Sequence, residues 1–306
     1  MSTPPDRPAS QPPPGAEPVA AIAGSGEVAP PAVPLDSDDT RGVHFRTLLR
    51  SPVTLSLGAT LVIGGLVAGT LAAGIGVGLA AAAAAAILVV SVAYVIASGR
   101  AREDFFGAYA TARGLDRTSG RTSLPPSTPL LRKGDRRYAE QVMNGALPGG
   151  APGAIGLYTY EVKTTDSEGN TDTDYYRFTV VLHDVPAVAV RCSDVYCQRR
   201  EGFRFMDAAE DVFRRMQRLE LESEALDKRY EIFFGAGDDP VWMKRLFSPS
   251  FIVWLTTEAP DGFAFELSAG SLCVNVKGHY DDAARLDRLC GAAGVVARRL
   301  AEEASE

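Results

Sequence analysis

Two groups of side chains in this sequence have the types and spacing to do chemistry. Asp166, Glu168, Asn170, Asp172 and Asp174 alternate along a polar stretch, TDSEGNTDTD. Oxygen donors spaced this way suggest a calcium loop. The helix–loop–helix calcium pattern needs glycine at its sixth position and a bidentate glutamate at its twelfth. Counted from Asp166, those positions hold Thr171 and Arg177. Both fail, and the stretch reads as the solvated tip of a hairpin. The second group is cationic. Arg132, Lys133, Arg136 and Arg137 place four positive charges within six residues, around the single acid Asp135. Such a cluster suits a surface of phosphate groups, the headgroups of an anionic membrane above all.

The remaining candidates point to structure. Glu222, Asp227, Lys228 and Arg229 cluster where a strand should begin, and an exposed salt-bridged edge explains them better than a polar pocket. Cys192 and Cys197 are separated by four residues and lack a second ligand pair, and Cys273 and Cys290 stand alone; structural zinc sites need two such pairs. His44, His183 and His279 are scattered. The cysteines therefore read as reduced and buried. No phosphate-binding glycine loop, zinc-protease helix or nucleophile elbow occurs. The sequence offers no catalytic, cofactor-binding or metal-binding residues. A net charge of -7 over 306 residues also argues against nucleic acid as a partner.

What positions the basic cluster is a long apolar run. Ser51 to Gly99 contains no Asp, Glu, Lys, Arg or His. One membrane span needs about 20 apolar residues, so the run reads as a helical hairpin. The spans are expected at Val53 to Leu71 and Leu79 to Ala97, with the turn at Ala72 to Gly78. Gly65 and Gly69, with the alanines at 80–86, provide small faces for close helix packing. The glycine ladder resembles that of the proton-carrying rotor subunit of ATP synthases, but the intramembrane carboxylate such a carrier needs is missing. Arg41, Arg46 and Arg50 precede the run, and Arg100, Arg102, Arg113, Arg117 and Arg121 follow it. That asymmetry places both termini in the cytoplasm and the protein in the inner or plasma membrane.

Four regions are expected. Residues 1–43, rich in Pro, Ala and Gly, predict a disordered tail. Residues 51–99 form the hairpin. Residues 100–150 are a juxtamembrane helix followed by a basic Pro/Gly-rich linker. From Arg100 to Arg137 there are nine basic residues against four acidic ones. Residues 151–303 make a soluble α+β domain. Strands are expected at 155–164, 175–183, 187–192 and 228–234, with a second hairpin at 263–268 and 272–277. Helices are expected at 206–219 and 239–247, and residues 251–257 fit either state. Leu286, Leu289, Cys290, Ala293, Val296, Ala297 and Leu300 trace one face of a terminal helix over 281–302. This order predicts an antiparallel sheet closed by a C-terminal helix and allows a pleckstrin-homology-like domain.

Glu222, Ser223, Leu226, Asp227, Lys228 and Tyr230, followed by Phe247, Ser248, Pro249 and Phe251, resemble a stretch of uncharacterised bacterial membrane proteins, largely actinobacterial. Those proteins are similar to this one in plan, with a two-helix hairpin preceding a cytosolic domain of unknown function. The resemblance implies architecture and no activity. The leading functional expectation is a membrane-tethered cytosolic interaction or scaffold protein. Its partners would be the lipid bilayer, anionic headgroups at Arg132, Lys133, Arg136 and Arg137, and a protein yet to be identified. The alternatives are a membrane-bound enzyme with an unrecognised site and a homo-oligomeric assembly built on the glycine-rich hairpin.

Overall fold

The computed structural model describes residues 37–200 and 216–306. The first element is a helix that the sequence did not announce: α1, Asp38–Arg50. It takes over the last residues assigned to the tail; the rest of the tail lies outside the described residues. One residue later begins α2, Pro52–Ala73, with proline at its first turn. The turn is shorter than expected. It narrows to Gly74, whose φ of 93° is a left-handed conformation. Then α3, Ile75–Arg113, runs for 39 residues and stops at Gly114 in the αL conformation.

The helices α2 and α3 pack antiparallel: Gly58 faces Val89, Gly65 faces Ala81 and Gly69 faces Gly78. A Cβ on Gly69 would stand 2.8 Å from the Gly78 Cα. The small residues are therefore consumed inside the hairpin, where they let the two backbones touch. Both helices are long and apolar enough to cross a membrane. Their outward residues are exposed, among them Ile63, Leu71, Ile87 and Val95.

The juxtamembrane helix expected after residue 100 is the last part of α3, which continues without a break to Arg113. The linker is not a linker. It contains β1 (Asp116–Thr118), the short helix α4 (Pro129–Arg132) and β2 (Arg136–Ala146), and it belongs to the sheet. Composition misled here: the Pro/Gly punctuation marks the turns between these elements. The expected hairpin follows as β3 (Pro152–Thr165) and β4 (Thr171–Asp184). At its tip Asp166 accepts hydrogen bonds from the backbone N–H of Glu168 and Asn170. Those bonds lower its pKa and fix the turn.

The stretch read as a strand at 187–192 is a 3-10 helix, Pro186–Val190. Its alternating valines do not line a sheet: Val188 is buried and Val190 is 89% exposed. The strand β5 comes later, Asp194–Arg199. The helix expected at 206–219 lies largely outside the described residues. Its last part is β6, Met216–Arg218, paired with β7, Tyr230–Gly235. Lys228 and Arg229, expected in that strand, end the helix α5, Glu224–Arg229. Helices α6 (Pro240–Leu246) and α7 (Pro249–Thr257) lead to β8 (Ala264–Ser268), β9 (Ser271–Lys277) and the terminal helix α8 (Ala283–Ser305).

The nine strands among the described residues join one antiparallel sheet in the order β1-β2-β3-β4-β9-β8-β5-β7-β6. The period of two divides its faces. Ile155, Leu157, Val181, Val274, Phe265 and Cys197 point to the main core, which also takes in α3, α6, α7 and α8. Tyr158, Tyr160, Val180 and Cys273 point the other way, beneath α4. The predicted stripe of α8 is buried at every position named. The four cysteines are free and buried. Several residues carrying the family resemblance are caps and core: Ser223 caps α5, Pro249 opens α7, and Leu226, Tyr230, Phe247 and Phe251 are buried, while Glu222 and Lys228 are exposed.

Candidate functional site

The root of α3 is where the apolar pair meets the sheet, and it is held on three sides. Ala101, Phe105, Phe106 and Tyr109 are wholly buried, the three aromatic rings within the main core. The Tyr109 hydroxyl donates to Asp287 of α8 at 2.8 Å, and the Arg113 guanidinium donates to both oxygens of the same carboxylate. Burial and the nearby anions push the Tyr109 phenol far above its ordinary range. Arg102 donates to Nδ1 of His279 at 3.1 Å, and His279 Nε2 donates to the Tyr158 carbonyl at 3.1 Å. Burial lowers the His279 pKa, and the cationic Arg102 acts in the same direction. A neutral imidazole with Nε2 protonated fits both partners.

On the third side lies α1. Ser37, just ahead of it, bonds Asp281 through backbone and side chain at 3.0 and 2.6 Å. Adjacent residues of α1 reach positions ten residues apart on α3. His44 pairs with Asp104 at 2.7 Å, while the Phe45 ring stands edge-on to Tyr94 at 6.1 Å. Ten residues of helix rise about 15 Å. The two helices therefore cross, and the crossing falls at the level of Arg100. Arg41, His44, Phe45, Leu48 and Leu49 form the half-buried face of α1, and Val43, Arg46, Thr47 and Arg50 form its exposed face.

The predicted basic cluster lies on the sheet, between α4 and β2. Arg132 donates to the carbonyls of Pro126 and Ser127, each at 2.7 Å. Arg137 donates to the Arg132 carbonyl at 2.9 Å. Lys133 is half-buried and faces Glu266 of β8. Burial lowers the Lys133 pKa, and the Glu266 carboxylate opposes that shift. Glu266 is itself buried, accepting from the Leu130 N–H at 2.8 Å and from Gln198 at 3.2 Å. Desolvation raises its pKa. Between them Gly134 turns the chain with φ 82°; a Cβ there would meet the Glu161 carbonyl at 2.7 Å. Of the four cations only Arg136 has no side-chain bond among the described residues. Arg132, Arg136 and Arg137 remain exposed to solvent.

Sequence reasoning missed Glu266, His279 and Asp287. The signal for Glu266 was present: it is the one acid in the apolar strand FAFELS. The other two carry no local mark, since their partners lie 177 and 174 residues away. Other candidates remain structural. Lys228 pairs with Glu224 at 2.6 Å on an exposed edge. Trp242, Phe247 and Phe251 are buried, with Trp254 stacked on Phe251 at 5.5 Å. A groove of about 570 Å³ lies at the end of β3, β4 and β9, with Leu124, Val142, Ala154 and Leu182 in its lining. No three His, Cys, Asp or Glu side chains converge on a metal-sized site among the described residues.

No family model matches this chain, and no curated protein matches it. Among solved structures it is similar to the crystal structure of the mycobacterial trehalose monomycolate transport factor A, TtfA. The identity is 12%, over 65% of this chain and 91% of that one, with a TM-score of 0.40. At that identity and score the likeness carries no weight for what the chain does.

Proposed function

We propose that this protein is a membrane-tethered interaction or scaffold protein whose sheet domain is held at the bilayer surface. The observation that carries the reading is α3. It passes without a break from an apolar, outwardly exposed hairpin into the core of the sheet domain. Such a helix fixes the domain to its tether instead of leaving it on a flexible leash. No group of side chains with the geometry of a catalytic centre competes with this reading among the described residues. The pleckstrin-homology-like option and the bacterial membrane-protein resemblance add nothing to it beyond a compatible plan.

Alkaline carbonate extraction tests the tether: the full chain should remain with the membrane pellet, and its release would overturn the reading. The arginine flanks favour a cytoplasmic placement of α1 and the sheet domain, which lie at the same end of the hairpin. Single cysteines replacing Pro5 or the exposed Glu302 should resist an impermeant thiol reagent in sealed cells. They should react after permeabilisation, while the native cysteines stay buried. Crosslinking in native membranes would then identify the protein partner.

A further inference from the structure

We infer that α1 and the root of α3 form a collar that binds anionic lipid headgroups through Arg46, Arg50 and Arg100; this deepens the proposed membrane tether and rests on it. Charge pairing at this level is lopsided. Every acid of α1 and α3 whose side chain is described is bonded to a basic side chain: Asp38 to Arg41 at 2.6 Å, Asp104 to His44 at 2.7 Å and Glu103 to Arg117 at 3.1 Å. Arg46, Arg50 and Arg100 are exposed and have no acidic partner among the described residues. Among the described residues, three cations without an acidic partner therefore flank the apolar run.

They mark the edge of the apolar surface. Arg50 is two residues before Pro52, where α2 begins, and Arg100 follows Gly99, the end of the uncharged run. The level of Arg100 is also where α1 crosses α3. At such an edge basic residues meet headgroups and apolar ones dip beneath them. The exposed stripe of α1 has that make-up: Val43, 62% exposed, lies one turn from Arg46 and Thr47 and two turns from Arg50. The occupant is a lipid carrying net negative charge, because the cations adjoin hydrocarbon-facing surface and long arginine stems can reach a phosphate from there.

The test uses the full chain purified in neutral detergent. Its thermal unfolding is followed as phosphatidylglycerol, phosphatidylcholine or inorganic phosphate is titrated in. At about five-fold per arginine, three cations should give a preference of about a hundred-fold for phosphatidylglycerol over phosphatidylcholine at low salt. Replacing all three by glutamine should collapse that preference without lowering the unfolding temperature in detergent alone. Equal half-saturation by the two lipids would overturn the collar, as would an unchanged preference in the triple variant. A shift reproduced by phosphate at the same concentration would overturn the lipid assignment. These failures are distinct from failure of the tether, which appears as a chain released by carbonate.

Discussion

Two arginine-rich segments of this chain look alike in sequence and differ in what their charges do. In the segment 132–137 three of the four cations face inward or onto their own backbone: Arg132 and Arg137 hold carbonyls, and Lys133 faces the buried Glu266, while Arg136 is exposed. Around the α1–α3 crossing the acids of the two helices are bonded and, among the described residues, three arginines have no acidic partner. Charge density along a sequence therefore says little about charge available to a partner. Availability depends on which carbonyls and carboxylates the fold brings within reach, and those lie far along the chain.

The contrast breaks most easily at Lys133. Lys133→Met would remove one of the two cations, with Arg132, whose charge favours the buried Glu266 carboxylate. Breaking a fully buried pair costs about 3–5 kcal/mol. Lys133 is half-buried, and solvent screening reduces the expectation to about 2 kcal/mol. The unfolding temperature should fall by about 4–8 °C, read from the fluorescence of Trp242 and Trp254, which report on the sheet domain. The lipid preference should stay. An unchanged unfolding temperature would mean that Lys133 is free for headgroups, and the two segments would no longer differ.

Glu266 sharpens the same point through pH. Burial holds its folded pKa above the ordinary value of 4.5. Between that ordinary value and the raised one, the folded chain binds a proton that the unfolded chain has released. Stability contributed here is therefore greatest at low pH and is lost as pH rises through the folded pKa. Glu266→Gln should flatten this slope when denaturant midpoints are compared across mildly acidic to neutral pH. A slope that survives the substitution would assign it to another group. Substituting the collar arginines should leave the slope intact.

Arg132→Gln comes next in size. It removes two hydrogen bonds to the Pro126 and Ser127 carbonyls, each at 2.7 Å. The site is exposed, so about 1 kcal/mol is expected for the pair. The loss should appear as a lower denaturant midpoint with an unchanged slope. A midpoint that does not move would show that these bonds are incidental to the turn ahead of α4.

How far the sequence revealed these differences depended on the range of the signal. The terminal helix was legible because its stripe, Leu286 to Leu300, lies within a few turns and needs only a period of 3.6. Asp239 and Pro240 announced α6, because a cap and a first-turn proline are local. The β3–β4 hairpin was legible for the same reason. The strand expected at 187–192 failed because Pro186 starts a tight helical turn and the valines follow it. The segment 123–150 failed as a linker because β2 pairs with β3, and its prolines mark the approach to α4, the start of α4 and the β2–β3 turn. For the site, the four cations were found and their roles were not: Glu266 lies more than a hundred residues from Lys133. The collar was half legible. Its arginines were visible as flanks of the apolar run, but α1 itself was hidden by the composition of the tail before it.

The smallest effect expected separates the two segments most cleanly. Arg50→Gln alone should change stability in neutral detergent by less than about 0.5 kcal/mol, as an exposed and unpaired surface residue does. Its effect should appear only with anionic lipid, as a loss of about five-fold in the preference at low salt. Salt then distinguishes the mechanisms. The Debye length falls from about 30 Å at 0.01 M to about 3 Å at 1 M, so the wild-type chain and Arg50→Gln should converge as salt rises. The stability lost in Arg132→Gln should persist at 1 M, because short hydrogen bonds to carbonyls are not long-range charge effects. If the Arg50 effect also persists at 1 M, its guanidinium is held by the protein as that of Arg132 is, and the collar is structural.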